Sequence, residues 1–221
     1  SLLGLNLNSV TLDSAVQQVN SLPGRSLFSK DGGKEVVTFE GVTKALVPGV
    51  DKDIQEYLVL IRYSSTVEFS PTICVDSGLY SIGSACNFKE LNAGKKSTPA
   101  AKSFSGQGAP IAFNELEIIP YTGTNSEIEL RMKIEHRGQG KIKTLHLGRA
   151  ALGNIPLLCE FRGKNVARPD FVQFDGKEST PETDLVCKGK LESGVAYETA
   201  LYIEMFYDYE LDVKQTLEIR R

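Results

Sequence analysis

Strict alternation of apolar and polar side chains is the feature of this chain that most restricts its fold. A repeat of two belongs to a strand, whereas a helix would scatter both sets around its axis. The alternation is plain in three places. From Tyr57 the odd positions read Tyr57, Val59, Ile61, Tyr63, Ser65, Val67 and Phe69, against Arg62, Ser64, Thr66, Glu68 and Ser70 on the even ones. Between Glu127 and His136, the residues Ile128, Leu130, Met132 and Ile134 oppose Glu127, Glu129, Arg131, Lys133 and Glu135. Further on, Leu201, Ile203, Met205, Tyr207, Tyr209, Leu211, Val213, Leu217 and Ile219 oppose Glu204, Asp208, Glu210, Asp212, Lys214, Glu218 and Arg220. This last stretch is expected to form a hairpin turning near Asp208 to Val213. Shorter strands are expected at Val36 to Phe39, Thr72 to Val75, Phe113 to Ile119, Lys141 to Leu147, Leu157 to Phe161, Phe171 to Phe174 and Asp184 to Cys187, with Gly, Pro or Asn between them.

Helix signals are few. Asp13 is placed to cap a turn or two through Val16 and Val19 before Leu22-Pro23-Gly24, and Asp51 to Glu56 fits a single turn. Many short strands, each half apolar and half polar, point to an all-β protein of antiparallel β-sandwich type. With 221 residues, the chain suits one large domain or two small ones. Small residues, Gly and Pro replace the alternation from Asn92 to Pro110, the composition of a linker. The expected organisation is therefore a short N-terminal extension of strand and helix over 1–25, then β-sandwich domains over 26–104 and 105–221. The alternative is one large sandwich with 92–110 as an internal loop.

Four cysteines fall into two local pairs, with eleven residues between Cys74 and Cys86 and 27 between Cys159 and Cys187. No C-x-x-C occurs and neither His136 nor His146 lies near a pair, so zinc ligation is disfavoured. Disulfides Cys74–Cys86 and Cys159–Cys187 are the better reading and imply an oxidising compartment; four reduced core thiols are the alternative. The chain starts at Ser1 without Met, a basic leader segment or an apolar one, as expected of a processed product whose signal or anchor lay upstream. No apolar run approaches the roughly 20 residues of a membrane-spanning helix.

Catalytic chemistry has little to work with. His136 falls on the inward face of its strand, and His146 lies in Lys141-Ile-Lys-Thr-Leu-His-Leu-Gly148 with no nucleophile motif beside it. There is no G-x-S-x-G, H-E-x-x-H or phosphate-loop pattern, and Gly106-Gln-Gly108 and Gly138-Gln-Gly140 read as turns. The acidic run Glu178 to Asp184 lacks the spacing and turn glycine of a calcium loop and reads as a solvated loop. No enzyme, cofactor or metal site is expected. A net charge of −3 gives nucleic acid no basic face to bind.

At Thr72-Ile-Cys-Val-Asp-Ser-Gly78, Cys86 and Gly106-Gln-Gly-Ala-Pro-Ile-Ala112 the chain resembles archaeal secreted or cell-surface proteins with immunoglobulin-like β-sandwich modules. Leu116 to Gly140 is similar to the first hairpin of such modules, with His136 and Arg137 departing from their usual N-x-G-x-G ending. The resemblance covers residues 57–221. It implies an exported β-sandwich held near the cell surface and carries no catalytic residue or cofactor.

Two functions are compatible with these features. The first is an extracellular structural subunit of a pilus-like filament or envelope layer, with other copies of itself as partner. In Leu2-Leu-Gly-Leu-Asn-Leu-Asn8, residues Leu3, Leu5 and Leu7 alternate with small or polar ones, as a strand donated to a neighbouring copy would. The same strand packed back on its own domain, or the tail of a removed anchor, is the alternative. The second function is an adhesion module displaying the loops Gly78 to Asn87 and Phe174 to Asp184. The absence of Trp and the placement of Tyr in strands weigh against it. The lack of any Asn-x-Ser/Thr sequon weighs mildly against a glycosylated filament.

Overall fold

The computed structural model describes residues 2–6, 10–12, 16–19, 21–24, 32–43, 46, 48–75, 100–103, 109–121, 127–163, 166–172, 182–191 and 197–220. All regular structure among them is strand, and every pairing is antiparallel. In chain order the strands are β1 (Leu2–Asn6), β2 (Val10–Leu12), β3 (Val16–Gln18), β4 (Gly41–Thr43), β5 (Lys52–Phe69), β6 (Thr72–Val75), β7 (Ala100–Ser103) and β8 (Ile111–Tyr121). They continue with β9 (Glu127–His136), β10 (Lys141–Leu152), β11 (Ile155–Pro156), β12 (Leu158–Arg162), β13 (Val166–Arg168), β14 (Phe171–Val172), β15 (Glu182–Lys190) and β16 (Tyr197–Arg220). The chain forms two compact units, one of Ser1–Ser64 with Asp208–Arg221 and one of Ser65–Tyr207.

The first unit is built on the early part of β5 and the late part of β16. Its hydrogen-bonded order is β16, β5, β1, β3, and β2 pairs separately with β4. Side chains clamp β5 to β16: Arg62 Nε donates to Glu210 Oε2 at 2.7 Å, Ser64 Oγ to Asp208 Oδ1 at 2.5 Å, and the rings of Tyr63 and Tyr209 lie 5.2 Å apart. These contacts sit where a hairpin was expected. Instead β16 runs unbroken through Asp208 to Val213, because that stretch has no Gly, Pro or Asn to turn on and β5 offers it a partner edge. The two helical expectations are corrected as well. Val16–Gln18 is strand β3, pairing with Leu2 to Gly4, and Asp51 to Glu56 leads into and begins β5, so ladder partners override a weak capping signal. Val36 to Phe39 is not a strand, and Val36 is 91% exposed.

The second unit contains two sheets. One has the order β12, β15, β9, β8, β7. The other has β13, β14, β10 and the early part of β16, with β11 on β10 and β6 on β16. Ser70-Pro71 separates β6 from β5, and the Pro71 carbonyl still accepts from Leu201 N at 2.9 Å. Gly153 (φ 57°) with Asn154 makes the tight turn between β10 and β11, a backbone state that glycine adopts without steric cost. Leu130, Met132, Ile134, Leu116, Phe113 and Leu185 from the first sheet, and Leu145, Leu152 and Leu201 from the second, are fully buried. Burial of each contributes roughly 1.5–3 kcal/mol.

Alternation alone would turn Glu115 and Glu117 to the same side as Phe113. A bulge prevents this: Phe113 is opposite Ile134 and Glu115 opposite Lys133, leaving Asn114 as an extra residue. The bulge is pinned by Asn114 Nδ2 donating to Glu135 Oε1 at 2.5 Å and by Arg137 Nε donating to Glu135 Oε2 at 3.1 Å. Leu116 therefore enters the core, and the two glutamates face outward.

Cys159 and Cys187 are direct register partners on β12 and β15 and form a disulfide, with Cα atoms 3.9 Å apart. Cys74 is also disulfide-bonded; its expected partner Cys86 lies outside the described residues. The segment read as a linker is largely outside them too, but Ala100–Ser103 within it forms β7 at the edge of the sheet. The second unit holds described residues from both sides of that segment.

Candidate assembly interface

Two surfaces could engage a partner, one in each unit. In the first, β1 lies in an interior lane. Leu2 to Asn6 pair with Arg62 to Leu58 of β5, and Leu2 to Gly4 pair on their other side with Gln18 to Val16 of β3. Leu3 and Leu5 are opposite Ile61 and Val59, while Leu7 lies outside the described residues. A strand flanked on both sides supplies main-chain hydrogen bonds to two neighbours.

In the second unit, the outer face of the β12, β15, β9, β8 sheet carries charges in register. One row across the four strands reads Arg162, Asp184, Lys133, Glu115, alternating in sign at every step. The next reads Glu160, Val186, Arg131, Glu117, and the third Leu158, Lys188, Glu129, Ile119. Ion pairs join residues between rows, Arg131 Nε to Glu129 Oε1 at 2.6 Å and Arg162 Nη2 to Glu160 Oε1 at 2.5 Å, and within them, Lys188 Nζ to Glu129 Oε2 at 3.5 Å and Lys133 Nζ to Glu115 Oε2 at 3.5 Å. Glu129 is only 2% exposed, so its carboxylate depends on those two cations to offset lost hydration. A shallow cavity of about 530 Å³ lies over Glu115, Glu117, Arg131, Lys133, Arg162 and Asp184. Leu158, at the end of the third row, is 83% exposed. Such a face can make charge-assisted hydrogen bonds to a surface of matching polarity.

The remaining candidates are placed as follows. His136 ends β9 opposite Ile111, and burial holds its imidazole below the usual pKa. His146 packs its ring 4.6 Å from Phe171, with the Arg168 guanidinium 5.4 Å from the same ring centroid. The display loop Gly78 to Asn87 lies outside the described residues, as do 174–181 of the other. The end of the acidic run, expected as a solvated loop, belongs instead to β15: Thr183 is buried with Oγ1 donating to the Arg162 carbonyl at 3.2 Å. Among the described residues, no group of three or more His, Cys, Asp or Glu is arranged to hold a metal ion. Period-two reading located the polar faces of single strands but not the charged rows, because a row exists only once strands are in register. Comparison with family models, curated proteins and solved structures finds no match.

Proposed function

We propose that this protein is an extracellular structural subunit of a surface filament or envelope layer. Its copies join by exchange of the first strand, its domains are immunoglobulin-like sandwiches, and it is not an enzyme. The observation that carries the reading is the interior lane of β1. If β1 leaves, β5 and β3 each present an unpaired edge, and a β1 from another copy fits that lane in the same register. When it comes from another molecule, the main-chain bonds formed are the same as those lost. Donation from each copy to the next is a heterologous contact that does not close, so it grows a chain of subunits. The Cys159–Cys187 disulfide and the oxidised Cys74 favour an oxidising location. The adhesion alternative rests on loops that lie for the most part outside the described residues.

The test uses the β1 register. Leu3 and Ile61 are Cα partners, and antiparallel partners lie within disulfide reach. One protein carrying Leu3→Cys is mixed with another carrying Ile61→Cys under oxidising conditions that permit polymer growth. A covalent product joining the two proteins is expected on a non-reducing gel. If the double variant Leu3→Cys/Ile61→Cys closes only within single chains, and the mixture stays uncoupled at every concentration, strand exchange is wrong.

A further inference from the structure

The charged face of the second unit has a property that strand exchange does not use. We propose that the outer face of the β12, β15, β9, β8 sheet docks on the same face of a second copy, around a two-fold axis running along the strands between β9 and β15. Such an axis brings each residue of β9 over the copy's residue that is its own register partner on β15, and does the same for β8 and β12.

The facing pairs can be read off the register. Lys133 meets Asp184 and Glu127 meets Lys190, both of opposite charge, while Glu129, opposite Lys188, is buried beneath its own Arg131 and Lys188. On the outer strands Glu115 meets Arg162, again opposite, and Ile119 meets the exposed Leu158, apolar on apolar. Val186, opposite Arg131, is buried; Glu117 against Glu160 and, at the end of the ladder, Glu135 against Glu182 are like-charge contacts, the first shielded by Arg162 on Glu160 and Arg131 3.9 Å from Glu117, the second by Arg137 on Glu135. The symmetry repeats every pair, so a row that alternates − + − + is complementary to its own reversal. A two-fold axis lying across the strands at the second row instead would place Glu117 on Glu117 and Arg131 on Arg131. The chemistry of the face thus selects one geometry and one partner, another copy of this chain.

Stacked sheets approach to about 10 Å, a gap that lysine, arginine and glutamate side chains can span from both sides. Four strands about 4.8 Å apart and four rows deep cover on the order of 300–400 Å² per partner, below the roughly 800 Å² of a standard stable interface. The contact is therefore weak between isolated molecules, screened by salt, and effective where copies are held in arrays.

The experiment is sedimentation velocity of the whole chain at low and high salt, for Lys133→Asp, for Asp184→Lys, and for their equimolar mixture. Wild type is expected to show concentration-dependent association at low salt that is lost at high salt. Each variant alone opposes like charges twice and loses the associated species. The mixture puts aspartates of one molecule over lysines of the other and recovers it. A role confined to one molecule cannot be rescued by mixing. Association of either variant at the wild-type level, failure of the mixture to recover it, or no salt-sensitive association of wild type overturns the proposal. If either variant is unfolded by circular dichroism, Glu127→Lys and Lys190→Glu, singly and mixed, make the same test in the fourth row. Strand exchange is formed by backbone groups of the other unit, and its cross-link is read independently of these substitutions.

Discussion

Replacing both Cys159 and Cys187 by alanine removes a cross-link between strands that are already in register, so its effect is expected in the unfolded ensemble. The closed loop spans a sequence separation of 28 residues. In the chain-entropy model, a loop of that length costs about 12 cal/mol/K, or about 3.6 kcal/mol at 25 °C. The sulfurs are also partly core atoms, Cys187 being fully buried, and their loss adds about 1 kcal/mol. The total is a quarter or more of the roughly 5–15 kcal/mol that stabilises a typical domain. Urea unfolding followed by far-ultraviolet circular dichroism gives the comparison directly, since the chain has no Trp to report by fluorescence. The midpoint should fall with little loss of native β-signal. Hydrogen exchange should show the largest loss of protection on β12, which in its sheet is hydrogen-bonded only to β15, and less on β8 and β9. A shift worth less than about 1 kcal/mol would refute the loop-entropy reasoning. Uniform loss of protection across the sheet would refute the assignment of β12 as the edge that the bond secures.

Three further outcomes are expected. Deleting Asn114 keeps Phe113 opposite Ile134 and Glu115 opposite Lys133, so chemical denaturation should register only its lost hydrogen bonds, about 1–2 kcal/mol; deleting Arg131 would move Leu130 to the outer face and cost more than about 3 kcal/mol. Burial lowers the pKa of His136 below 6.5, so the unfolded chain binds its proton first. Its contribution is fully present above pH 6.5 and falls as the pH drops from there to the folded-state pKa, which NMR titration of the ring should locate. Hydrogen bonds from Lys52 and Arg220 hold the Glu218 carboxyl below the ordinary carboxylate value of 4.5. That pairing favours the folded state above the ordinary value and is lost as the pH falls through the lowered one; Glu218→Gln should remove this part of the acid dependence, more visibly at low salt.

Most of the strands could be read from residue order because alternation is a local property of an extended chain. Tyr57 to Phe69, Glu127 to His136 and Leu201 to Ile219 lie in strands β5, β9 and β16. The Cys159–Cys187 pairing was legible for a related reason, since two cysteines on flanking strands need only a short connection between them. Local rules failed where a long-range partner intervened. Asp208 to Val213 reads as a turn when the hairpin is the nearest way to bury an apolar face, but β5 supplies that edge from 148 residues away. Val16–Gln18 reads as the end of a capped helix until β1 is placed beside it.

Residue order by itself determined that this chain makes strands, which side of most of them is apolar, and which cysteines are near neighbours. These follow from the two-residue repeat of extended backbone and from short separations. Only the tertiary structure decided that the first strand lies between two others, that one extra residue at Asn114 keeps two glutamates out of the core, and that four strands align their charges into rows. Register is a relation between segments distant in the chain. A one-residue slip reverses every side chain in it, so no property of a single segment can specify it.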